Sequence, residues 1–225
     1  MTSTNIPVPS DILLQVRKLL PKNPMNYNQA RIVAEMQAGC LRKTLRLSQP
    51  TLPLDWIEQI PGVSVMLVTA SDMERRTKTP ASSGATAIGE DGSYRIYIAE
   101  NNSRTHCRFT LCHELFHVIT GPFESEIFSD FGHGDSELHK RRIERVADHF
   151  AANLLVPKGL LCKAWDLPVR GLAELAGIFG VSEDAMRIRL RTVGLIRSGL
   201  TKEMFYRTPA YGRYELEIAL KGGER

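Results

Sequence analysis

The sequence has no uninterrupted apolar run approaching the roughly 20 residues that cross a bilayer. Its opening, MTSTNIPVPSDILLQVRK, lacks the basic start, continuous apolar stretch and small-residue cleavage site of a secretory signal. These two absences lead us to expect a cytoplasmic protein with no membrane role. Cysteine is scarce, with four residues at 40, 107, 112 and 162 and no CxxC pair, which argues against a disulfide scaffold or a thiolate zinc site. Nor is one sign of charge in excess: 29 Lys and Arg against 25 Asp and Glu leave +4, compatible with nucleic-acid contact but not demanding it. Internal repeats and low-complexity tracts are also missing.

What is present is an ordinary globular mixture, 43% hydrophobic over 225 residues, enough for one real core and a small appended module. The pattern predicts an α+β fold, with a core over 11–160 and a helical segment over 161–225 packed on it, ending in a strand around Tyr211 to Leu220. DILLQVRKLL reads as a short helix stopped by Pro21. A longer one starts near Asn28, and its recurring Ile32, Val33, Met36, Cys40, Leu41 and Leu45 predict a buried face. Asp55 stands where an N-cap would, before WIEQI and the β-branched run VSVMLV. Ala70 to Ser83 is polar and reads as a loop or an irregular edge. Asp91-Gly92 then joins ATAIGE to SYRIYIAE in a hairpin, so a small sheet of at least three strands is expected.

The chemistry lies in two helical segments. HELFH sets His113 and His117 four apart, on one face of a helix one turn from each other, with Glu114 adjacent and able to reach a metal-bound water without ligating the metal. Neutral imidazole suits zinc near pH 7. After a loop over Phe123 to Glu137, a second helix from about His139 to Leu155 carries Glu144 and Asp148, again four apart. Glu144 is the candidate third ligand of a His-His-Glu site that keeps a fourth position for water, and Asp148 the candidate acceptor for a ligand histidine's second N–H. A surface ion pair with Arg141 or Arg145 is the plainer reading of Glu144. His133 and His139 are weaker candidates for oxyanion stabilisation, while His149 and His106 read as packing or surface residues, and Cys112 as packing.

The segments RFTLCHELFHVI and ERVADHFAANLLVP resemble the ImmA/IrrE family of bacterial and phage-associated metallopeptidases, and the order of elements from about Asn28 to Ile196 is similar to that family's. The resemblance implies a zincin-like core with a small mixed sheet, an active-site helix, a second ligand helix and a C-terminal helix-turn-helix-like segment. It implies that His113, His117 and Glu144 bind the metal, zinc first and manganese as the second candidate, and that Glu114 is catalytic. Three positions depart from the family pattern: Cys112 where alanine is usual, Phe116 where glycine is usual, and Asp148 where asparagine is usual. Phe116 leads us to expect a narrowed or reshaped cleft. Family members with known roles cleave helix-turn-helix repressors, so the implied partner is a protein of that class.

Zincin-like enzymes pair an extended substrate with an edge strand above the active helix, and Tyr94 to Ala99 is the candidate here, though these residues serve equally as ordinary sheet. The rival function is a DNA-binding or repressor-binding regulator with a structural metal. LAELAGIFGVSEDAMRIRLRTVGLI places Ala176, Gly180 and Met186 as a helix-turn-helix requires, with Ser182 capping the second helix and Arg187, Arg189 and Arg191 along it. Alternating arginines spread around a helix, so direct DNA recognition is the lesser reading. It requires Arg187 and Arg191 together on an open face. A structural metal would instead need a fourth protein ligand from His133, His139, Asp135 or a cysteine.

Overall fold

The computed structural model describes residues 6–77, 82–132, 134–166 and 171–196. The expected strand over Tyr211 to Leu220 lies outside them. The chain divides into two compact units, one made of the chain up to Arg46 with Pro53–Leu154, the other of Leu47–Leu52 with the chain from Leu155 onward.

The first unit is α+β. Its elements are α1 (Ile12–Arg17), α2 (Tyr27–Thr44), a 3-10 turn (Asp55–Gln59), β1 (Val63–Val68), α3 (Ala70–Thr77), β2 (Gly84–Ile88), β3 (Tyr94–Ala99), α4 (Arg104–Thr120), α5 (Glu124–Ile127) and α6 (Ser136–Leu155). The sheet is mixed, in the order β1-β3-β2, with β1 parallel and β2 antiparallel to β3. The expected hairpin forms around Asp91-Gly92, where Gly92 adopts φ +76, the left-handed conformation that costs glycine least. Tyr94–Ala99 is therefore the central strand and its backbone is paired on both sides. The edge-strand expectation is corrected: the edge beside α4 belongs to β2, whose outer side pairs with no strand among the described residues. Sequence order hid this, because β1 reaches β3 only by a crossover through α3 and β2.

The two faces of the sheet are sealed differently. Ala85, Ala87, Tyr97 and Ala99 pack with Val68 and with Met73 of α3. Residues of opposite parity face α4, as shown by Thr86, which opposes Ile96 in the register and bonds to Glu114. The close approach of β2 to α4 needs Gly84, since a Cβ there would lie 2.3 Å from Thr110 Cγ2.

Three local expectations are also corrected. Ala70–Thr77 is a helix, capped by Thr69, whose Oγ1 accepts the Asp72 N–H at 3.2 Å. Asp72 in its first turn and Arg75 and Arg76 in its last complement the helix dipole, and Met73 anchors it on the sheet. Asp55 is the first residue of its 3-10 turn, not the cap, which is Leu54. The 123–137 stretch is not all loop. It contains α5 and the first residues of α6, with Ile127, Phe128 and Phe131 buried.

On α2 the buried face is Ala30, Ala34, Gln37, Ala38, Leu41 and Arg42, whereas Ile32 and Met36 are 60% and 51% exposed. Leu41 and Leu45 are buried as expected, but over the first turns periodicity rotated the face, because there the small Ala30, Ala34 and Ala38 make the contact in place of Ile32 and Met36. Arg42 donates to the carbonyl of Leu154 at 2.9 Å and Glu35 lies 4.0 Å from His149, so α2 runs along α6.

The second unit holds α7 (Lys158–Asp166), α8 (Leu172–Phe179) and α9 (Glu183–Thr192). Gly180 ends α8 with φ +65 and ψ +40, and Ser182 caps α9 by accepting the Ala185 N–H at 3.2 Å, as read from the sequence. Leu175, Phe179, Met186 and Leu190 form its interior. Arg189 is buried and donates to the Val156 carbonyl at 2.9 Å, while Arg187 pairs with Asp184 at 2.8 Å.

No helix among the described residues is long and apolar enough to cross a membrane.

Candidate metal centre

Helix α4 begins at Ser103, whose hydroxyl accepts the His106 N–H at 3.3 Å, and its end is held by α1. Arg17 donates to the carbonyls of Val118 (2.8 Å) and Ile119 (3.1 Å) and to the Tyr94 hydroxyl (3.0 Å). A guanidinium on those last carbonyls satisfies acceptors left open at the helix terminus and opposes its negative dipole end. Helix α6 starts from Asp135, whose carboxylate accepts the N–H groups of Glu137 (2.9 Å) and Leu138 (3.0 Å).

Between these helices three donor groups converge. His113 Nε2 lies 3.0 Å from Glu144 Oε2 and 3.3 Å from His117 Nε2, and His117 Nε2 lies 3.6 Å from Glu144 Oε1. Tetrahedral zinc bound at about 2.0–2.1 Å holds its N and O ligands roughly 3.3 Å apart, and the two imidazole nitrogens stand at that spacing, while each histidine meets a different oxygen of Glu144. The other nitrogen of His113, Nδ1, lies 2.9 Å from Asp148 Oδ1, which fixes the ring with Nε2 turned into the cluster. Glu124 Oε2 stands 4.0 Å from Nδ1 of His117.

Glu114 is buried on the sheet side of α4, and its Oε2 accepts the Thr86 hydroxyl at 2.8 Å. Burial raises its carboxyl above the ordinary range, against the opposing pull of His113 and Thr86. That moves it toward the working pH of a general base. For His113, burial disfavours the charged ring, but the hydrogen bonds it donates to Asp148 and Glu144 and the surrounding carboxylates outweigh it and raise the group to about 10. Burial and the charge of His113 lower His117. Glu144 is lowered, first by its bond to His113. Burial and Glu144 raise Glu124. Four carboxylates thus surround two imidazoles, an excess of negative charge that a divalent cation would neutralise.

The structure brings His113, His117 and Glu144 together, all ligand atoms within 4.8 Å of one another, with Asp148 behind one histidine and Glu114 beside them. Among the described residues no fourth protein ligand joins this group. Asp135 is a helix cap, His139 packs on Phe131 at 6.3 Å, and Cys112 is fully buried. His149 approaches Glu35 of α2, and His106 is exposed in the first turn of α4. His133 lies outside the described residues.

The expectation that Phe116 narrows the cleft is corrected. Its ring is 1% exposed and turned into an aromatic bed, 5.6 Å from Phe150 and 6.3 Å from Phe128, and meets His117 edge-on at 5.9 Å. Two residues of the site escaped the sequence reading. Thr86 shares a strand face with Gly84 and Ile88, as alternation shows, but alternation does not say which helix that face meets. Glu124 lay in a segment read as loop.

No curated protein matches the sequence significantly. Among solved structures, a Mycobacterium tuberculosis transcriptional regulator is similar at 15% identity with a TM-score of 0.49. The alignment covers 82% of this chain and 52% of the regulator, so the chain spans about half of that protein's length. The model of the IrrE N-terminal-like domain, peptidase family M78, matches residues 65–191. That span is more than half of the chain and includes both helices of the cluster, and the chain belongs to this family.

Proposed function

We propose that the protein is a metal-dependent endopeptidase that hydrolyses a peptide bond in a partner protein, a helix-turn-helix repressor being the favoured class. The observation that carries the reading is the convergence of two imidazoles and one carboxylate, with a separate buried carboxylate, Glu114, next to them. A structural site has no use for that last group. His113, His117 and Glu144 would hold the metal, and Asp148 would keep His113 in register. Two nitrogens and one carboxylate oxygen suit zinc first, and manganese where supply favours it. The bound ion would supply Lewis acidity at the peptide carbonyl and to water. Glu114 would take the proton of the attacking water and return it to the departing amine.

The outer edge of β2, unpaired among the described residues, offers a place for the peptide. Gly89 N–H donates to Ser93 O at 2.8 Å and Ala99 N–H to Ser83 O at 3.0 Å, so by the antiparallel alternation the odd residues 85 and 87 pair with β3. Gly84, Thr86 and Ile88 then turn their N–H and C=O groups outward, above α4. An extended substrate can add there as a further strand.

The repressor class rests on the family resemblance. The alternative, a DNA-binding or repressor-binding regulator with a structural metal, draws on the helix-turn-helix arrangement of α8 and α9. It is weakened by the burial of Arg189 and the neutralisation of Arg187 by Asp184.

The test is co-incubation with the helix-turn-helix repressor encoded nearest to the gene, comparing wild type with Glu114→Gln by intact mass while recording metal content. One defined cut by the wild type, reduced roughly 100- to 10,000-fold in the variant with metal retained in both, is expected. A loaded wild type that binds the repressor and leaves it whole would turn the conclusion to the regulator.

A further inference from the structure

The carboxylate of Glu114 is buried midway along α4, and what holds it comes from the sheet rather than from its own helix. Thr86 Oγ1 lies 2.8 Å from Glu114 Oε2 and 3.2 Å from the Glu114 carbonyl. A hydroxyl has one hydrogen to give, and the shorter contact, to an ionised oxygen, takes it. Glutamate has three side-chain torsions, and a buried one with a single fixed oxygen loses most of that freedom. With Oε2 engaged, Oε1 is left for the proton of water. The contact is built in: Gly84, two residues earlier on the same face, lets β2 come within reach, since a Cβ there would also lie 3.1 Å from Glu114 Oε1.

Thr86 also has its backbone at the open edge. Its N–H and C=O face outward by the alternation that pairs Ala85 and Ala87 with β3. One residue therefore faces both the strand position a substrate would occupy and the carboxylate that would act on it.

We propose that Thr86 is a positioning residue, holding Glu114 through its hydroxyl in the orientation needed to accept a proton while its backbone sets the register of an extended peptide against that carboxylate. The assignment rests on the peptidase reading for its chemical purpose, but the orientation it claims is a property of the protein alone.

The experiment compares wild type with Thr86→Val, which keeps the β-branched shape and removes the hydroxyl, and Thr86→Ser, which keeps the hydroxyl. Crystal structures of the three report the torsions of Glu114. Calorimetry with acetohydroxamic acid, whose chelating form is favoured by a carboxylate placed to take its proton, reports the function of that orientation in the zinc-loaded proteins. Zinc content should agree among the three, and the melting temperature of Thr86→Val should fall by no more than the few degrees that one lost hydrogen bond costs. Thr86→Val should bind the hydroxamate roughly ten- to a hundredfold more weakly, the loss of one hydrogen bond to a charged group, with Glu114 turned to a different rotamer, and Thr86→Ser should stay within about threefold of wild type. Unchanged torsions and affinity in Thr86→Val, or a serine variant as weak as valine, would overturn the assignment. A wild type that holds no zinc would sink the peptidase reading instead, and the Glu114 torsions in metal-free crystals would then uphold or overturn the role of Thr86 by themselves.

Discussion

The two helices that build the site contribute in opposite ways. The side chains of His113 and His117 on α4 are 15% and 19% exposed, whereas those of Glu144 and Asp148 on α6 are 58% and 55% exposed. One helix presents its donors from a bed of packed rings; the other reaches across from a wet surface. The same amphipathic logic places both sets, yet the consequences differ. A donor set into a packed interior is pre-positioned, since its rotamer is fixed before any ligand arrives. A carboxylate half in water keeps its rotamers, so it can close on a cation and let go of one. The centre is therefore half rigid and half adjustable, and the difference can be attacked from either side.

The largest effect should come from the rigid side. Phe116 lies buried among Phe128, Phe150 and His117. Phe116→Ala should cost about 3–5 kcal/mol in urea unfolding of the metal-free protein, the range for emptying a core aromatic site. A cost below about 1 kcal/mol would mean that the bed collapses freely and does not fix His117. The adjustable side should respond in the metal more than in the fold. Asp148→Ala should weaken zinc binding by roughly 10- to 100-fold in a chelator competition, because His113 loses the group that orients it. The metal-free protein should lose about 1–2 kcal/mol of unfolding free energy, the hydrogen bond that His113 makes to Asp148, and less than Phe116→Ala loses. If Asp148→Ala instead destabilises the fold as much as Phe116→Ala, the contrast between the helices fails.

What could be read from the sequence follows the same line between local and distant. HELFH and the Glu144, Asp148 pair were legible because four-residue spacing on a helix is a local rule, and the structure does gather those side chains. The hairpin and the caps at Ser182 and Gly180 were legible for the same reason. The central place of β3 was not, because strand order depends on a crossover that no short window contains. Only the C-terminal part of the α2 face was: Leu41 and Leu45 are buried as expected, but Ile32 and Met36 look like core and stand outside, while Gln37 and Arg42 look like surface and are buried. The helix in Ala70–Thr77 hides in a polar sequence because a threonine cap, charges matched to the dipole and one anchor, Met73, suffice for two turns. Phe116 was misplaced because its partners Phe128 and Phe150 come from other segments, and only their positions show that the ring points away from the cleft.

The smallest effect tests whether the bed behind α4 is sealed. Cys112 stands next to His113 in the sequence but lies on the buried side, and burial pushes its thiol up to about 12 despite the nearby Arg108 and Arg42. At pH 8 a thiol with that value is ionised in only about one molecule in ten thousand, and the thiolate is the reactive form. In the native protein Cys112 should therefore escape iodoacetamide over hours at pH 8 and be alkylated at once in urea, as peptide mass mapping would show. Neither stability nor zinc binding is expected to change, so the label reads packing alone. Native alkylation at Cys112 would mean that α4 opens toward solvent on the side opposite its histidines, and the rigid half of the site would then be no more fixed than the carboxylates that face it.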